Sequence, residues 1–466
     1  MALALPFRRP ARLSPVLPVV AVTALLALPA APGGEGGAGP ADALSALVVL
    51  FCAVRLLRAR RRPLSRTAAV LLGLPVAGVA LAALHAVSPG AGITGLGRYL
   101  QVFVLVPAAV LLLIRDRADF RLLAWAFVAL AGWQGAVGVH QYLTGTGASY
   151  QGRDVRAVGT FGASDVMGMA TVVSFGLVCA VGLALGRPAV RERVIAVCCA
   201  LALAVPLALS FSRGAWIATV VTLTVQLVLA GPRRALKAGA VVVAAGVVLV
   251  GGLGVGTAML QERIDSITQV TDAPDQSVTD RYTMWAAATD MWRDRPLTGV
   301  GLKAFPEYRD GHASLALSSG SDTGGAGAAF RRQPLLSPHN MYLLVLSEQG
   351  LIGLLCLAGG WLALLVRALR GLWRTRAAGG RGLDCALAAC GLLVWQLVDF
   401  AYADIGGPAT ALTAVCFGLI AWWSLCGADQ LTPAGAAGPA GHPGHTGRPG
   451  YAQRPGSGIP VRRAAQ

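Results

Sequence analysis

Three arginines lie at places in the sequence where an ordinary structural role is hardest to assign. Arg98 opens one long apolar run, Arg156 precedes another, and Arg213 lies in the very short turn Ser212-Arg213-Gly214 between two such runs. A guanidinium in so short a turn stays near the apolar runs, and its planar fork matches two phosphate oxygens at any relevant pH. We therefore predict phosphate binding, although snorkelling to lipid headgroups would explain each arginine taken singly.

A fourth arginine, Arg281, begins a segment with helical periodicity. Aromatic and small residues recur there at helical spacing, Asp280 is placed to cap the helix, and Pro296 is placed to end it. We predict an amphipathic helix over 280–294 whose Trp and Tyr residues lie at the membrane interface. Four arginines on one side of the membrane favour a polyanionic ligand, of which a diphosphate is the simplest.

His339 is the residue best suited to move a proton. Ser337 has the character of a helix N-cap and Pro338 that of a first helical residue, so the pattern predicts His339 in the first turn of a helix. The positive end of a helix lowers the pKa of a histidine, and the neutral ring can take a proton from a hydroxyl. The alternative is a histidine that only forms hydrogen bonds at a helix end.

Three further polar residues lie in or beside apolar runs. Glu348 lies nine residues beyond His339, about 13 Å deeper at helical rise, where a carboxylate needs a cavity or a partner such as an arginine. Asp399 and Tyr402 are three residues apart, which places both on one helix face. These two could hold an arginine, contact sugar hydroxyls or have only a structural pairing role.

Metal and nucleotide chemistry are both disfavoured by the sequence. No cluster of Asp or His with metal-ligand spacing occurs in the predicted external segments, and no Gly-rich nucleotide loop occurs in the internal ones. All nine cysteines fall inside predicted spans, so the sequence implies no disulfide framework and no zinc site. A donor substrate should therefore arrive already activated on a lipid.

The elements that must position these residues are apolar segments long enough to cross a bilayer. Of the 466 residues, 55% are hydrophobic and 13% are charged, which gives more apolar surface than a soluble domain could bury. We predict an all-α, polytopic transmembrane helical bundle of about twelve spans. The predicted spans are residues 15–31, 41–57, 67–87, 97–114, 122–143, 163–186, 194–211, 214–230, 238–258, 340–366, 383–403 and 407–426.

The net charge of +17 is a topology signal rather than the footprint of a nucleic-acid partner. Most of the 39 Lys and Arg residues fall in loops on the side of the N-terminus, so the positive-inside rule predicts that both termini are cytoplasmic in a bacterial inner membrane. The first apolar run is expected to stay as a span rather than to be cleaved as a signal peptide. On this topology the four arginines and His339 face outward.

Five parts follow from this topology. A cytoplasmic N-terminus covers 1–14, spans one to nine cover 15–258, a long external loop with the amphipathic helix covers 259–339, and spans ten to twelve cover 340–427. The tail 428–466 is rich in Pro and Gly, and it is predicted to be disordered because it cannot bury enough apolar surface to repay the entropy of folding.

Four motifs surround the long external loop in a fixed order. They are Gly159-Thr160-Phe161-Gly162, the run from Leu209 to Trp216, the run from Arg281 to Gly301 that ends in Pro296-Leu297-Thr298-Gly299-Val300-Gly301, and His339-Asn340-Met341-Tyr342 through Glu348-Gln349-Gly350. Together they resemble the O-antigen ligase and polymerase superfamily of multispanning bacterial glycosyltransferases. One departure is that Ala163-Ser164-Asp165 follow the first motif, where family members usually have Asn-Pro-Asn, which leaves the fine substrate contacts open.

The resemblance implies a glycan on undecaprenyl diphosphate as donor and a second glycan, lipid or polymer end as acceptor, without a metal or other cofactor. By the arguments above, Arg213 and Arg281 would neutralise the departing diphosphate, and His339 would orient or deprotonate the acceptor hydroxyl. These three are the predicted catalytic residues, and direct displacement predicts inversion at C1. The residues predicted to contact substrate are Arg98, Arg156, Asn340, Glu348, Asp399 and Tyr402.

Two alternatives to a ligase stay open. A polymerase shares the same motifs and differs only in its acceptor, which neither charge nor spacing reveals. A transporter or flippase of lipid-linked sugars would require charged groups near the bilayer midplane and discontinuous helices. The polar residues gather instead at the predicted outer rim, with Glu348 as the main exception.

Overall fold

The computed structural model describes residues 14–29, 39–59, 64–150, 154–165, 167–186, 188–233, 236, 276–318, 321–325, 331–333, 335–407 and 409–427. Several sequence predictions concern other residues. The predicted span 238–258, nearly all of the N-terminal segment 1–14, the start of the external loop at 259–275 and the tail from 428 lie outside the described residues.

Helices dominate the described residues. The α-helices are α1 (Leu17–Leu25), α2 (Pro40–Ala59), α3 (Arg66–Ala83), α4 (Pro89–Leu100), α5 (Val106–Leu113), α6 (Arg117–Thr144), α7 (Gly168–Leu185), α8 (Val190–Leu209), α9 (Arg213–Ala230), α10 (Gln276–Asp294), α11 (Phe305–His312), α12 (Met341–Ala377), α13 (Leu383–Asp399) and α14 (Thr410–Trp422). A π-helical turn, Gln101–Leu105, joins α4 to α5, another, Trp423–Gly427, extends α14, and a 3-10 segment, Gly159–Asp165, precedes α7.

The predicted all-α polytopic class is confirmed. In the described part of the chain, nine helical segments are long and apolar enough to cross a membrane by length and composition. The shorter helices α1 and α13, of 9 and 17 residues, coincide with two further predicted spans. Every predicted span that falls within the described residues therefore corresponds to a helix, and α10 corresponds to the predicted amphipathic helix of the external loop.

Burial separates central helices from peripheral ones. In the apolar windows of α7 and of α14 with its extension, 89% and 94% of residues are buried, whereas the figure for α8 is 22%. Large apolar side chains such as Leu50, Leu57 and Val194 are exposed on α2 and α8. Apolar surface of this extent requires lipid as its solvent. The central pair α7 and α14 is thus enclosed by protein, and α2 and α8 present apolar faces to lipid.

A small antiparallel sheet joins two segments between spans that are far apart in the sequence and are both predicted to be external. Its strands are β1 (Ala148–Tyr150), β2 (Asp154–Arg156), β3 (Ser321–Gly325) and β4 (Arg331–Gln333), in the order β2-β1-β3-β4. In the register, Ala148 pairs with both Arg156 and Gly325. The segment between α6 and α7 is therefore tied to the long external loop, which the sequence did not predict.

Helix α12 is interrupted at Gly350, where φ is +65° and ψ is −167°. Backbone groups at the break bind the turn 296–301 of the external loop, which supplies the partners that an unbroken helix would supply itself. Such partners are needed because an unpaired backbone group is costly in hydrocarbon. The hydrogen bonds are Leu351 N–H to Pro296 O (2.8 Å), Ile352 N–H to Leu297 O (3.2 Å), Val300 N–H to Ser347 O (2.9 Å) and Gly301 N–H to Glu348 O (3.0 Å). The single predicted span 340–366 is thus two helical pieces.

Glycines permit this close approach of two backbones. Gly299, Gly301 and Gly350 all have positive φ, and a Cβ at each would overlap backbone atoms of a neighbouring segment. For Gly301 that neighbour is the carbonyl of His85, just beyond α3. We call residues 296–301 the backbone wedge, because they fill the space between α3 and the two pieces of α12. Gly353 also permits close helix packing, since a Cβ on Gly78 of α3 would lie 2.7 Å from its Cα.

Gly350→Ala is expected to lower the thermal unfolding temperature of the detergent-purified protein. The alanine would have to hold φ +65° with ψ −167°, a region nearly restricted to glycine, which costs about 1–3 kcal/mol before the overlap with Leu297 is counted. Gly359→Ala is the matched control, since it lies on the same helix with no atom within 4 Å of the added Cβ. Equal melting of both variants and the wild type would contradict the role assigned to the backbone wedge.

Candidate functional site

His339 lies immediately before helix α12 and not in its first turn. Asn340 is the N-cap, since its Oδ1 accepts a hydrogen bond from Leu343 N–H at 3.1 Å, and the helix begins at Met341. His339 has a left-handed backbone with φ +49°, and Ser337 Oγ accepts the His339 N–H at 3.4 Å. The predicted capping by Ser337 is therefore wrong. Asn340 caps the helix instead, so the expected helix-end effect on His339 loses its structural basis.

Two neighbouring segments hold the chain on either side of His339. The Met341 N–H donates to the carbonyls of Phe400 and Ala403 at 2.8 and 3.0 Å, in the turn that follows α13. Asn340 Nδ2 donates to Ala401 O in the same turn at 3.1 Å. On the other side, Trp285 Nε1 of α10 donates to Pro338 O at 2.9 Å. The position of His339 is thus fixed by the external helix and by the turn after α13 together.

Trp285 binds the chain next to His339. The aromatic residues of α10 were predicted to lie at the membrane interface instead. The face of α10 that is fully buried consists of small and flexible side chains at helical spacing, which are Met284, Ala287, Ala288 and Met291. Tyr282, by contrast, is 54% exposed. The helix therefore docks through its Met and Ala stripe, and Trp285 lies beside that stripe.

The charges around His339 act on it in opposite directions. Burial lowers the pKa of His339, the positive charge of Arg281 lowers it further, and the negative charge of Asp404 raises it. Asp404 lies in the turn between α13 and α14, and its Oδ2 atom is buried with no hydrogen-bond partner within the described residues. The balance favours a neutral imidazole at pH 7, and the cause is burial with Arg281 rather than the predicted helix end.

Several carboxylates lie at the end of α13 that is near His339. Asp399, the last residue of α13, is 7% exposed and interacts electrostatically with Arg281, Asp404 and Asp165. Arg281 thus lies within electrostatic range of both His339 and Asp399. The predicted options for Asp399 included holding an arginine, and Arg281 is placed to be that arginine.

Asp165 was not among the predicted site residues. Its Oδ2 accepts the Ala409 N–H at 3.3 Å, so it joins the segment before α7 to the start of α14. Burial raises the pKa of Asp165 to about 6, and bonds from the backbone of Ala409 and Gly168 oppose that rise. Asp165 lies where the family pattern differs in this sequence, which was the only signal that could have identified it.

Arg213 and Tyr402 come together through a glycine contact. Ser212 caps α9, with its Oγ accepting the Ala215 N–H at 3.3 Å, and Arg213 is the first residue of that helix. A Cβ on Gly214 would lie 3.1 Å from Tyr402 Cβ, so the turn packs directly on Tyr402. The Tyr402 N–H donates to Asp399 O at 2.7 Å. Arg213 therefore borders the same turn that holds Asp399 and Asp404.

Arg156 is placed beside the turn that carries Arg213. Its Nε donates to Ser210 O at 3.1 Å, and the Ala157 N–H donates to Leu209 O at 3.1 Å. Strand β2 thus ends against the connection between α8 and α9. The structure places Arg156 and Arg213 beside the same turn. Two arginines that bind one phosphate group, as predicted, would have to lie close together in this way.

Arg98 and Glu348 have other partners. Arg98 lies in the last turn of α4, where Nη1 pairs with Asp42 Oδ1 at 2.5 Å and Nη2 donates to Gly407 O at 3.2 Å. Glu348 is 2% exposed, and its Oε1 accepts the Phe305 N–H at 3.2 Å. It therefore holds the segment after the backbone wedge and does not pair with an arginine. Arg98 is thus paired with a carboxylate of another helix, and Glu348 accepts a hydrogen bond from a remote backbone N–H, so both residues have structural contacts in addition to their predicted contact with substrate.

Comparison with known protein families supports the resemblance that the sequence motifs indicate. The family model described as O-antigen ligase matches residues 197–358. That segment contains Arg213, Arg281, His339 and the backbone wedge. No curated protein matches the chain. The family consists of membrane enzymes, and the apolar helices make this chain a multi-pass membrane protein.

Two independent observations therefore agree: residues far apart in the sequence meet around His339, and the family match covers the segments that carry its proposed catalytic residues. Residues 197–358 thus match the O-antigen ligase family, which supports the resemblance of this chain to the O-antigen ligase and polymerase superfamily.

Proposed function

We propose that the protein transfers a glycan from undecaprenyl diphosphate to an acceptor hydroxyl at the outer face of the bacterial cytoplasmic membrane. The observation that supports this best is that His339 interacts electrostatically with both Arg281 and Asp404. Trp285 and the turn after α13 hold the chain on either side of it. Arg213 borders the same turn. A neutral base next to cationic groups fits a reaction in which a hydroxyl loses its proton while a diphosphate departs.

The arginines act on the leaving group. As the bond between C1 and the diphosphate oxygen breaks, the electron pair stays on that oxygen and negative charge develops there. Arg213 and Arg281 stabilise that charge, with Arg156 beside Arg213 as a further cation. A guanidinium suits this role because it stays charged and can bind two phosphate oxygens at once.

His339 acts on the acceptor. Its imidazole takes the proton of the acceptor hydroxyl as the oxygen forms the new bond to C1 from the face opposite the diphosphate, so the configuration at C1 inverts. The negative charge of Asp404 stabilises the imidazolium that forms, which is the same interaction that raises the pKa of His339. Tyr402 and Asn340 lie at the margin of this group, where Asn340 is already engaged in capping α12.

A ligase and a polymerase would use this site in the same way. A ligase adds one preformed glycan to a distinct acceptor, whereas a polymerase adds each unit to another lipid-linked glycan. The products distinguish them, since a single added block indicates ligation and a ladder of repeat units indicates polymerisation.

One feature of the structure favours the alternative function of a flippase. Helix α12 is discontinuous at Gly350, and discontinuous helices are typical of transporters. In transporters, however, the broken backbone binds substrate or ions. Here the turn 296–301 already occupies the break, and the adjacent Glu348 binds the Phe305 amide. The transferase is therefore the function that we propose.

Transfer by the purified protein in EDTA is expected to need His339 and Arg213. Loss of a general base costs typically about 10²–10⁴-fold in rate, and loss of a charge-stabilising donor costs about 10²–10³-fold. His339→Ala and Arg213→Ala should fall by these factors with an undecaprenyl-diphosphate glycan as donor, while EDTA leaves the wild type active.

Arg293→Ala provides the matched control for these variants. Arg293 lies on α10 with Arg281, but its side chain is 68% exposed and pairs with Asp290. Its transfer rate should match that of the wild type. If His339→Ala and Arg213→Ala remained folded and transferred at the rate of Arg293→Ala, the site assignment would be wrong and the flippase would gain support.

The pH dependence of transfer should move in opposite directions in two variants. The reactive ring is neutral, so activity falls as pH falls through the pKa of His339, which lies below its ordinary value. Arg281→Gln removes a charge that lowers this pKa, so the acid limb should move to higher pH. Asp404→Asn removes a charge that raises it, so the limb should move to lower pH. The measurement is kcat/KM against pH, and shifts of the same sign would contradict the arrangement.

A further inference from the structure

A cavity lined by two arginines lies at the other end of the helices that build the candidate site. Helix α9 begins at Arg213, α12 begins next to His339, and α13 ends at Asp399. The opposite ends of these three helices surround a cavity of about 560 Å³. Its lining includes Gly231, Arg233, Arg376, Gly380 and Leu383, and we call it the basic pocket. No step of the proposed transfer reaction uses it.

The charge of the basic pocket is positive. Arg233 follows the end of α9, and Arg376 lies in the last turn of α12, so two guanidinium groups come from different segments. None of the described residues that line the cavity carries a carboxylate. The nearest acidic residue in sequence, Asp384, is fully buried and pairs with Arg117 and Arg121. An anion in the pocket would therefore meet two cations and no lining carboxylate.

Backbone geometry keeps Arg376 in place and the pocket open. Arg376 Nη1 donates to Leu229 O at 2.9 Å, which anchors the guanidinium on the end of α9. A guanidinium has five N–H donors, so one such bond leaves most of its capacity for a ligand. Gly231 has φ +104°, and a Cβ there would lie 3.0 Å from Arg376 Nη2. A glycine at this position leaves space beside the guanidinium that any side chain would reduce.

Apolar groups flank the arginines on the outer surface of the same helix ends. Trp373 lies three residues before Arg376, on the same face of α12, and is 58% exposed. Val228, in the last turn of α9, is 68% exposed. An exposed tryptophan is typical of the level at which lipid headgroups meet hydrocarbon. The pocket is thus lined by two exposed arginines and has exposed apolar side chains beside it.

We infer that the basic pocket binds the phosphate group of an anionic phospholipid, with Arg233 and Arg376 as its ligands and with acyl chains along the surface of Trp373 and Val228. A basic pocket between transmembrane helices on the positively charged side of the membrane is the expected site for such a headgroup. A free phosphate would use the two arginines equally well but would gain nothing from the apolar surface. A bound lipid would join the ends of α9, α12 and α13, all of which extend to the candidate site.

The test measures lipid retention by the full-length protein. Wild type is delipidated in neutral detergent, mixed with phosphatidylglycerol or phosphatidylcholine, and bound lipid is counted by native mass spectrometry. The wild type should retain phosphatidylglycerol in preference to phosphatidylcholine. Arg233→Gln with Arg376→Gln should lower phosphatidylglycerol binding about tenfold, since each cation near an anionic lipid makes a sizeable favourable contribution.

Two control variants separate charge from folding. Arg58→Gln removes another exposed arginine from the end of α2 that is not part of the pocket, and it should retain phosphatidylglycerol as the wild type does. Arg233→Lys with Arg376→Lys keeps both charges and should recover most of the binding. If phosphatidylglycerol binding is lost in the double glutamine variant and recovered in the double lysine variant, the headgroup is bound through positive charge.

Two outcomes would overturn the inference. One is equal retention of phosphatidylglycerol by the wild type and the double glutamine variant, both folded by their melting temperature. The other is binding of inorganic phosphate that depends on Arg233 and Arg376 while phosphatidylglycerol binding does not, which would make the occupant a soluble phosphate rather than a lipid.

Discussion

The polar backbone of α12 must find hydrogen-bond partners within a lipid environment, and the break at Gly350 removes some of the partners that a helix normally supplies. The backbone wedge 296–301 replaces them through the bonds at Leu351 and Ile352. This constraint fixes where the external loop enters the bundle. It also fixes the N-terminal piece of α12, the part before Gly350, whose first residue, Met341, binds the turn after α13. His339 lies just before Met341, and the bonds that its neighbouring residues make with Trp285 and with the turn after α13 set its position.

The arginines at this end of the protein divide according to their partners. Arg98 is neutralised by Asp42 from another helix, and its charge serves to join α4 to α2. Arg281 instead shares its surroundings with a histidine and with carboxylates that also interact with one another. Like charges held close together are unfavourable, so a nearby cation stabilises the ionised forms of Asp399 and Asp404. Arg281 interacts with Asp399 and with His339, and it thereby contributes to the electrostatic balance of this group.

Periodicity and charge placement were enough to predict the helical class and the position of most spans. A lipid-facing helix needs an apolar segment long enough to cross the bilayer. The segments that form α2 and α8 are recognisable in the sequence for this reason. The local pattern at Ser337 and Pro338 was misleading because two N-cap candidates lie within four residues. The choice of Asn340 depends on Phe400 and Ala403, which are distant in the sequence.

Other features were beyond the sequence for related reasons. Glu348 has a backbone N–H as its partner, and a carboxylate bound to a remote amide leaves no side-chain pattern. Asp404 was visible as an acidic residue after Asp399, but its effect on His339 is a matter of distance across the turn. The four short strands consist mostly of Gly, Ser, Thr and charged residues, which have no apolar alternation to indicate pairing.

The sheet that joins the two segments predicted to be external has a mechanical consequence. Strand β3 belongs to the long loop, and through β1 it is paired to β2, which ends at Arg156. Arg156 in turn binds Ser210, three residues before Arg213. A displacement of β3 would therefore be transmitted through β1 and β2 to Arg156, and through Ser210 to the turn that carries Arg213. The conformation of the long loop is in this way mechanically coupled to the positions of two arginines far from it in sequence.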